Sequence, residues 1–374
     1  MKQVMRKYDG IILGSGIAAL GCAMALARRN RKVLVISKKG VRGEATPASA
    51  GILDPFLEMK PGSPLLKMAL AAFARYPAFL RFLLRKTGMR YDYARTGMFY
   101  AALSRADEKI LRGRYQWQKN MGIPVRWVSR KELVKRVPDI TSAARSAVFY
   151  PTIAKVNPRK LRFAMIRLLR KLGVRFLELS TSTGLLTDEK GVIGVRAGNR
   201  HYPASFVINA MGSWAGKNKL GGRKAPVLPV RGQILVLKGR ISIPAMVHAL
   251  NGAYIVPWGR NRYLVGSTVE FAGFKPHVTA VGLRSIQKRA QAMVPKISGL
   301  KRATTWAGLR PYSKDGMPFI GPVGPKGFYW ATGYYRSGIL MAPYAGELLV
   351  KGILTGKWHS VLVPFLPLRR RRRG

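Results

Sequence analysis

Residues 9–38 read DGIILGSGIAALGCAMALARRNRKVLVISK, and this stretch decides the fold. An apolar strand runs into Gly14-x-Gly16-x-x-Ala19, an alanine-rich helix follows, and a second apolar strand closes the unit. This order is typical of a strand–turn–helix that cradles a dinucleotide pyrophosphate, because glycines allow a tight turn and close approach of the backbone to the phosphates. The start of the helix then favours an anion. A plain strand–turn–helix is the alternative, and the second strand favours the nucleotide site.

The end of that second strand departs from the pattern. An acid normally accepts hydrogen bonds there from the adenine-side ribose, whereas this chain has Ser37 and Lys38, followed by Lys39. A serine followed by cations also suits a 2′-phosphate. The segment alone therefore leaves an NADP site open.

The charge balance of the chain is abnormal for a globular protein. Its 374 residues include 67 Lys and Arg against 15 Asp and Glu, a formal net charge of +52. Such a field attracts nucleic acid and anionic membranes without a dedicated site. The cations are spread over periodic helices, however, so we favour an acid-depleted surface on an ordinary two-lobed protein over a nucleic-acid module. The condensed run at 369–373 is expected to be a disordered basic tail.

The cysteine count and the hydropathy of the chain argue against disulfide-bonded, zinc-binding and membrane-spanning classes of protein. Cys22 is the only cysteine, which excludes internal disulfides and cysteine-based zinc sites, and we expect no metal. No signal peptide is expected before the first strand, and no membrane span, because the longest apolar stretch, 65–84, contains Lys67, Arg75, Pro77 and Arg81. That amphipathic stretch is expected to pack on the protein's own core. The alternative is that it binds to a membrane surface.

The remaining segments predict an alternating α/β chain. Small side chains at 44–51 suit close approach to a ligand, although a plain connecting loop is the alternative. Residues 226–270 alternate apolar and polar side chains, which predicts an antiparallel sheet. Helices are predicted at 64–88, 104–121, 131–136, after 156–158, at 278–293 and 339–354, and strands near 174–177, 185–187, 192–195, 206–212 and 328–332.

In this order the motifs resemble the D-amino-acid oxidase superfamily of FAD-dependent flavoproteins, most closely its glycine oxidases of thiazole biosynthesis. The resemblance covers nearly the whole chain and is carried by residues 14–16, 48–53, 156–158, 209–214, 229–233, 254–257 with 266–270, 306–311 with 315–321, and 333–343. It favours FAD over NADP. It implies non-covalent binding, since related sarcosine oxidases attach flavin through a late cysteine and Cys22 lies too early.

The resemblance also implies which residues form the site. Arg310 takes a substrate carboxylate through its two-pronged guanidinium, Tyr254 offers its hydroxyl to the same group, and Arg336 lies in the glycine-rich turn that faces the amine. The implied cofactor residues are Gly14, Gly16, Ala19, Ser37, Lys38, Ala48, Ser49, Ala50, Gly51, Ser182, Gly212, Gly308, Gly333, Ser337, Gly338 and Ile339. Four positions depart from the family, namely Ser37, Ser182, Tyr334 and Ser337, so FAD affinity or substrate choice could differ here.

We therefore expect a discontinuous Rossmann-like FAD domain and a substrate domain built on a mostly antiparallel sheet with helices. The expected ranges are 1–60, 150–225 and 321–374 for the first, and 61–149 and 226–320 for the second. The predicted activity is oxidative deamination of glycine, sarcosine or a small D-amino acid by hydride transfer to flavin, with oxygen as acceptor. The resemblance also implies a role in thiamine biosynthesis. The alternatives are an amine dehydrogenase that passes electrons to a quinone at the membrane, and a non-catalytic polycationic scaffold.

The remaining expectations concern partners and location. The predicted partner is a small amine or amino acid, with non-specific contacts to nucleic acid or anionic membrane and a homo-oligomer left open. The predicted location is cytoplasmic, with a peripheral membrane contact as the alternative.

Overall fold

The computed structural model describes residues 7–56, 59–179, 183–217 and 219–368. Two large sheets, with helices on the outer side of each, account for most of this part of the chain. Ser182 and the basic tail at 369–373 lie outside the described residues.

The elements follow one another along the chain as strands β1–β18 and helices α1–α8. The strands are β1 (Tyr8–Leu13), β2 (Val33–Lys38), β3 (Ile52–Leu53), β4 (Met98–Ala102), β5 (Arg126–Ser129), β6 (Ser146–Tyr150), β7 (Ala154–Lys155), β8 (Arg175–Leu179), β9 (Thr183–Asp188), β10 (Gly191–Ala197), β11 (Arg200–Asn209), β12 (Val227–Lys238), β13 (Met246–Ala249), β14 (Tyr254–Pro257), β15 (Arg262–Gly266), β16 (Lys301–Ser313), β17 (Phe319–Pro322) and β18 (Phe328–Thr332). The helices are α1 (Ile17–Ala27), α2 (Ala45–Ala48), α3 (Pro64–Thr87), α4 (Arg105–Asn120), α5 (Arg130–Arg136), α6 (Pro158–Lys171), α7 (Ala280–Met293) and α8 (Gly338–Thr355).

The first sheet has the order β17-β18-β11-β1-β2-β8, with the hairpin β9–β10 attached to β11. Strands β18, β11, β1, β2 and β8 run parallel, so their carboxyl ends meet at one edge. Ligands bind at that edge in open α/β sheets. Strands β1 and β2 are almost fully buried, as apolar strands covered on both faces should be.

Helices α1, α3, α6 and α8 share one apolar core on a face of this sheet. Helix α1 packs so closely on α8 that Cβ atoms at Gly21 or Gly346 would lie under 3.0 Å from backbone atoms of the other helix. Helix α8 is long and apolar enough to cross a membrane by length and composition alone, but 56% of it is buried inside the protein. The expectation that the stretch 65–84 packs on the core agrees with the position of α3.

The second sheet has the order β16-β12-β15-β14-β13-β4-β6-β5 and is mostly antiparallel. Its side chains alternate between two faces. One face packs on α5 and α7, and the other carries Met98, Tyr100, Ile234 and Tyr254. The sequence did not predict β4, β5 or β6, which join the sheet because β4 pairs in parallel with β13, far away in the chain.

The fold therefore is the expected α/β class with a Rossmann-like sheet and a mostly antiparallel second sheet. The domain boundaries remain a prediction. Helix α3 belongs to the core of the first sheet's helices, although it lies within the range assigned to the substrate domain.

We expect Gly346→Ala to destabilise the protein by about 1–3 kcal/mol, because the added methyl would overpack the α1–α8 contact. Gly113→Ala in α4 is the matched control: its Cβ meets nothing within 4 Å, so helix propensity alone should stabilise the protein by about 0.5–1 kcal/mol. Urea unfolding measures both variants. Equal effects would contradict the close packing of the two helices.

Candidate functional site

A cavity of about 440 Å³ opens between the carboxyl edge of the first sheet and the second sheet. The turns after β1, β2, β11 and β18 line one side, and residues of β4, β12, β13, β14 and β16 line the other. The cavity therefore joins a nucleotide-type edge to a sheet that can cover a second ligand.

The turn after β1 brings backbone atoms very close together. Gly14 has φ +108°, and a Cβ there would lie 2.5 Å from the carbonyl oxygen of Ala210. Only glycine tolerates both the conformation and the contact. Helix α1 then begins after Gly16. Because glycine has no side chain, the first turn of the helix is open to the cavity. The Ile17 N–H donates to Thr46 Oγ1 at 3.0 Å.

A cation stands behind this turn. Arg162 of α6 donates from Nε to the Ser15 carbonyl and from Nη2 to Ser15 Oγ, each at 3.0 Å. Helix α6 itself begins at Pro158 with Asn157 as its cap. The turn is thus held from α6 while its glycines face the cavity.

On the second sheet, the Arg310 guanidinium is held in a fixed position. Its Nη1 donates to the Thr268 carbonyl at 3.0 Å and its Nη2 to Ser267 Oγ at 2.8 Å. A Cβ at Gly232 would lie 2.1–2.4 Å from the guanidinium, so a glycine is needed beneath it. The arrangement points a preorganised planar cation at the cavity, which suits a carboxylate.

Tyr254 lies beside this cation on the same face. Its ring crosses the neighbouring strand where Gly266 leaves room, since a Cβ there would lie 2.3 Å from the Tyr254 hydroxyl oxygen. Tyr254 is buried, and it lines the cavity. The hydroxyl is therefore placed near the Ser267 segment that also holds Arg310.

His248 is a residue of the cavity wall that the sequence analysis missed. It pairs with Tyr100 on β4 and with Tyr254 on β14, and its ring stacks on both, with centroids 4.8 Å and 6.2 Å away. Burial, with the charges of Arg336 and Arg114, lowers the pKa of His248 to about 3. The imidazole is thus neutral near pH 7. No motif flagged it, because strand β13 acquires its position only through pairing with β4.

Asp54 and Tyr100 also line the cavity and were not predicted. The Tyr100 hydroxyl donates to Asp54 Oδ2, and the Phe56 N–H donates to Asp54 Oδ1 at 2.7 Å. Burial and the charge of Asp54 raise the pKa of Tyr100 well above its ordinary value. Tyr100 therefore stays protonated and its proton is committed to Asp54.

The structure brings most of the predicted site residues to this one cavity. Arg310, Tyr254 and Arg336 line it, together with Gly14, Gly16, Ser37, Lys38, Ala48, Ser49, Ala50, Gly212, Gly308, Ser337, Gly338 and Ile339. Ala19, Gly51 and Gly333 lie behind the wall: Ala19 is fully buried in α1, and a Cβ at Gly51 would strike the Val156 carbonyl. Contacts of individual residues with cofactor or substrate stay predictions.

A family model described as FAD dependent oxidoreductase matches residues 9–351. The chain is 29% identical to the glycine oxidase of Geobacillus kaustophilus over 96% of both chains, and 30% identical to the glycine oxidase of Pseudomonas aeruginosa over 96% of this chain and 98% of that one. A crystal structure of glycine oxidase from Geobacillus kaustophilus superposes with a TM-score of 0.91 at 30% identity, covering 98% of this chain and all of the other. The crystal structure of iminodiacetate oxidase from Chelativorans sp. BNC1 superposes with a TM-score of 0.87 at 26% identity, covering 96% and 98%.

The chain therefore belongs to the FAD-dependent oxidoreductases of the D-amino-acid oxidase (DAO) family. It is an FAD-dependent enzyme that oxidises amino acids or amines, similar to glycine oxidases, and it binds FAD non-covalently. The cavity fits this cofactor, because the Gly14 turn lets the backbone approach a pyrophosphate and the start of α1, at Gly16 and Ile17, lines the cavity. Cys22 is buried, and burial raises its pKa to about 12, so it offers no thiolate for attachment to flavin.

We expect Gly232→Ala to lower kcat/KM for an amino-acid substrate by about tenfold or more, equivalent to about 1.4 kcal/mol, because the methyl would push the Arg310 guanidinium out of place. The loss should persist in protein that carries a full complement of FAD, which is checked because Gly232 pairs with Gly308, a predicted cofactor residue. Gly299→Ala, where a Cβ meets nothing within 4 Å, is the control. Steady-state kinetics with flavin absorbance measure both, and an unaltered kcat/KM would place the guanidinium outside the substrate site.

Proposed function

We propose that this enzyme catalyses oxidative deamination of a small amino acid or amine, such as glycine, sarcosine or a small D-amino acid, with oxygen as the electron acceptor. The observation that carries the proposal is the preorganised Arg310 guanidinium on the sheet that faces the nucleotide-type edge. A carboxylate bound there sits within the same cavity as residues 334–339, part of the glycine-rich turn that the family resemblance assigns to the flavin ring.

The proposed roles of the chain's own residues are binding and orientation. Arg310 holds the carboxylate in plane through two hydrogen bonds, and Tyr254 donates a third from its hydroxyl. Arg336, which lines the cavity in the turn before α8, is proposed to contact the substrate. Holding the reacting carbon still supplies much of the acceleration.

The electron balance is carried by the cofactor. FAD, when bound, accepts a hydride from the substrate α-carbon. The amine becomes an imine as a proton leaves nitrogen, and water hydrolyses the imine to an oxo acid and ammonia, or a primary amine from an N-substituted substrate. Oxygen then takes the two electrons together with two protons and leaves as hydrogen peroxide.

The experiment adds glycine, sarcosine or D-alanine to the FAD-loaded protein without oxygen and follows the flavin absorbance. Bleaching, followed by recovery and peroxide release on admission of air, is the expected result. Bleaching that a quinone reverses but air does not would favour the membrane dehydrogenase. Absence of bleaching by every amine tested would contradict the proposal.

We expect Arg310→Ala to lower kcat/KM by a factor that corresponds to about 2–5 kcal/mol of lost transition-state stabilisation, because the substrate carboxylate is left without its buried partner. Arg310→Lys should recover only part of the loss, since an ammonium group cannot hold both oxygens in plane. Arg284→Ala, on the exposed face of α7, is the matched control for the loss of one cation.

Stopped-flow flavin reduction separates binding from hydride transfer in each variant. FAD content should match that of the unmodified protein. Full activity of Arg310→Ala, or loss of FAD along with activity, would contradict the assigned role.

A further inference from the structure

One edge of the first sheet, opposite the cavity, carries a dense group of cations. Residues 28–32, 81–86 and 167–175 together contain eleven Lys and Arg and no Asp or Glu. All eleven of these side chains are exposed. They lie at or near the carboxyl ends of α1, α3 and α6. We call this set of cations the basic face.

The three segments are neighbours in the fold. Helices α1 and α6 both end at the edge opposite the cavity, because each is followed by a strand, β2 or β8, that runs parallel to β1 or to its neighbour. Strands β2 and β8 pair there, with Leu34 opposite Arg175. Helix α3 reaches the same edge, since the Arg28 guanidinium carbon lies 4.8 Å from the centre of the Phe82 ring. The basic face is therefore continuous.

Acids do little to neutralise this face. Asp9 pairs with Arg31 at 3.6 Å, and both side chains are partly exposed. On the second sheet, by contrast, acids lie among the cations of α4 and α5, where Glu108 pairs with Arg112 and Glu132 with Arg136. Stabilisation of a helix end explains the cations in the last turns of α3 and α6, but it does not explain why the segments around them lack acids.

Exposed apolar side chains lie among these cations. Leu84 of α3 is 40% exposed, Phe163 of α6 is 59% exposed, and Leu172, directly after α6, is 42% exposed. Cations mixed with such side chains are typical of a surface that binds an anionic bilayer, where the cations meet headgroups and the apolar groups meet the acyl boundary. The phosphates of a nucleic acid attract cations equally well but offer no apolar layer to a leucine. The mixture therefore favours a bilayer.

We propose that the basic face is a docking surface for a bilayer that contains anionic lipid. Its cations contact the headgroup phosphates, and Leu84, Phe163 and Leu172 enter the boundary with the acyl chains. Strands β1 and β2, which connect this edge to the cavity edge, are six residues long, so the headgroups lie about 20 Å from the turn after β1. Docking is therefore separable from turnover, and the proposal holds whichever amine is the substrate.

Cosedimentation of the FAD-loaded protein with lipid vesicles tests the proposal at physiological ionic strength, where weak long-range attraction is largely screened. Vesicles of phosphatidylcholine mixed with phosphatidylserine should bind the protein, and vesicles of phosphatidylcholine alone should bind it at least about tenfold more weakly. This comparison needs no variant. Equal binding to the two kinds of vesicle would overturn the proposal.

Two matched variants locate the surface, and each replaces four exposed cations by glutamine. The first changes the basic face at Arg81, Arg85, Arg167 and Lys171, and the control changes α5 and α7 at Lys131, Lys135, Arg284 and Lys288. The first should weaken binding to anionic vesicles at least about tenfold, while the control stays within about threefold. Thermal unfolding, bound FAD and kcat/KM for a soluble amino acid should match those of the unmodified protein in both variants. Equal weakening by the two variants would contradict the proposal, because binding would then follow net charge alone.

The apolar side chains distinguish a bilayer from a nucleic acid. The double variant Leu84→Ser and Phe163→Ser should weaken binding to anionic vesicles about tenfold, because it removes the groups that enter the acyl boundary. Its affinity for a DNA duplex should stay within about threefold, since it keeps every cation. Unchanged vesicle binding in this variant would overturn the proposal. So would a duplex that displaces the unmodified protein from vesicles at physiological ionic strength, which would make nucleic acid the partner.

Discussion

The close approach of two backbones at the end of β1 is the constraint on which the site depends. Because Gly14 adopts a positive φ and lies against the Ala210 carbonyl, β1 and β11 can end side by side and the chain can turn directly into α1. That turn fixes the start of the helix at the sheet edge, where the cavity opens. A side chain at Gly14 would separate the strands and displace the helix start, so the nucleotide-type edge and the floor of the cavity are lost together.

The second sheet meets this edge with one continuous rung of residues. Tyr100, His248 and Tyr254 are paired across β4, β13 and β14, and the rung continues through Gly266 to Ile234. Paired residues point to the same face, so the rung forms a single wall. The glycine within it provides the space that Tyr254 fills, and Gly232 does the same for Arg310. Small residues thus position the two groups assigned to the carboxylate.

The sequence predicted what depends on local pattern and left unpredicted what depends on distant pairing. The unit from β1 to β2 was readable because its glycines, helix and strands are contiguous, and the family motifs brought Arg310, Tyr254 and Arg336 to one cavity. Tyr100 and His248 were missed for a common reason. Strands β4 and β13 lie far apart in the chain, and no residue within either strand indicates that the two are hydrogen-bonded neighbours. A histidine in an apolar strand is most simply read as a core residue, and only the folded structure shows that His248 lines the cavity.

The excess of cations is accommodated by means other than carboxylates. Arg28, Arg75 and Arg159 each lie over an aromatic ring at 4.5–4.8 Å, and Arg159 also donates to the Pro47 carbonyl. Ring faces and carbonyl oxygens stabilise a guanidinium without adding an acid. Among the described residues, the few acids are placed where a local structure needs them, as Asp107 is in the capping box of α4 and Glu270 is beside Arg231. The fold can therefore tolerate a large net charge, because many of its cations have a local partner that is not an acid.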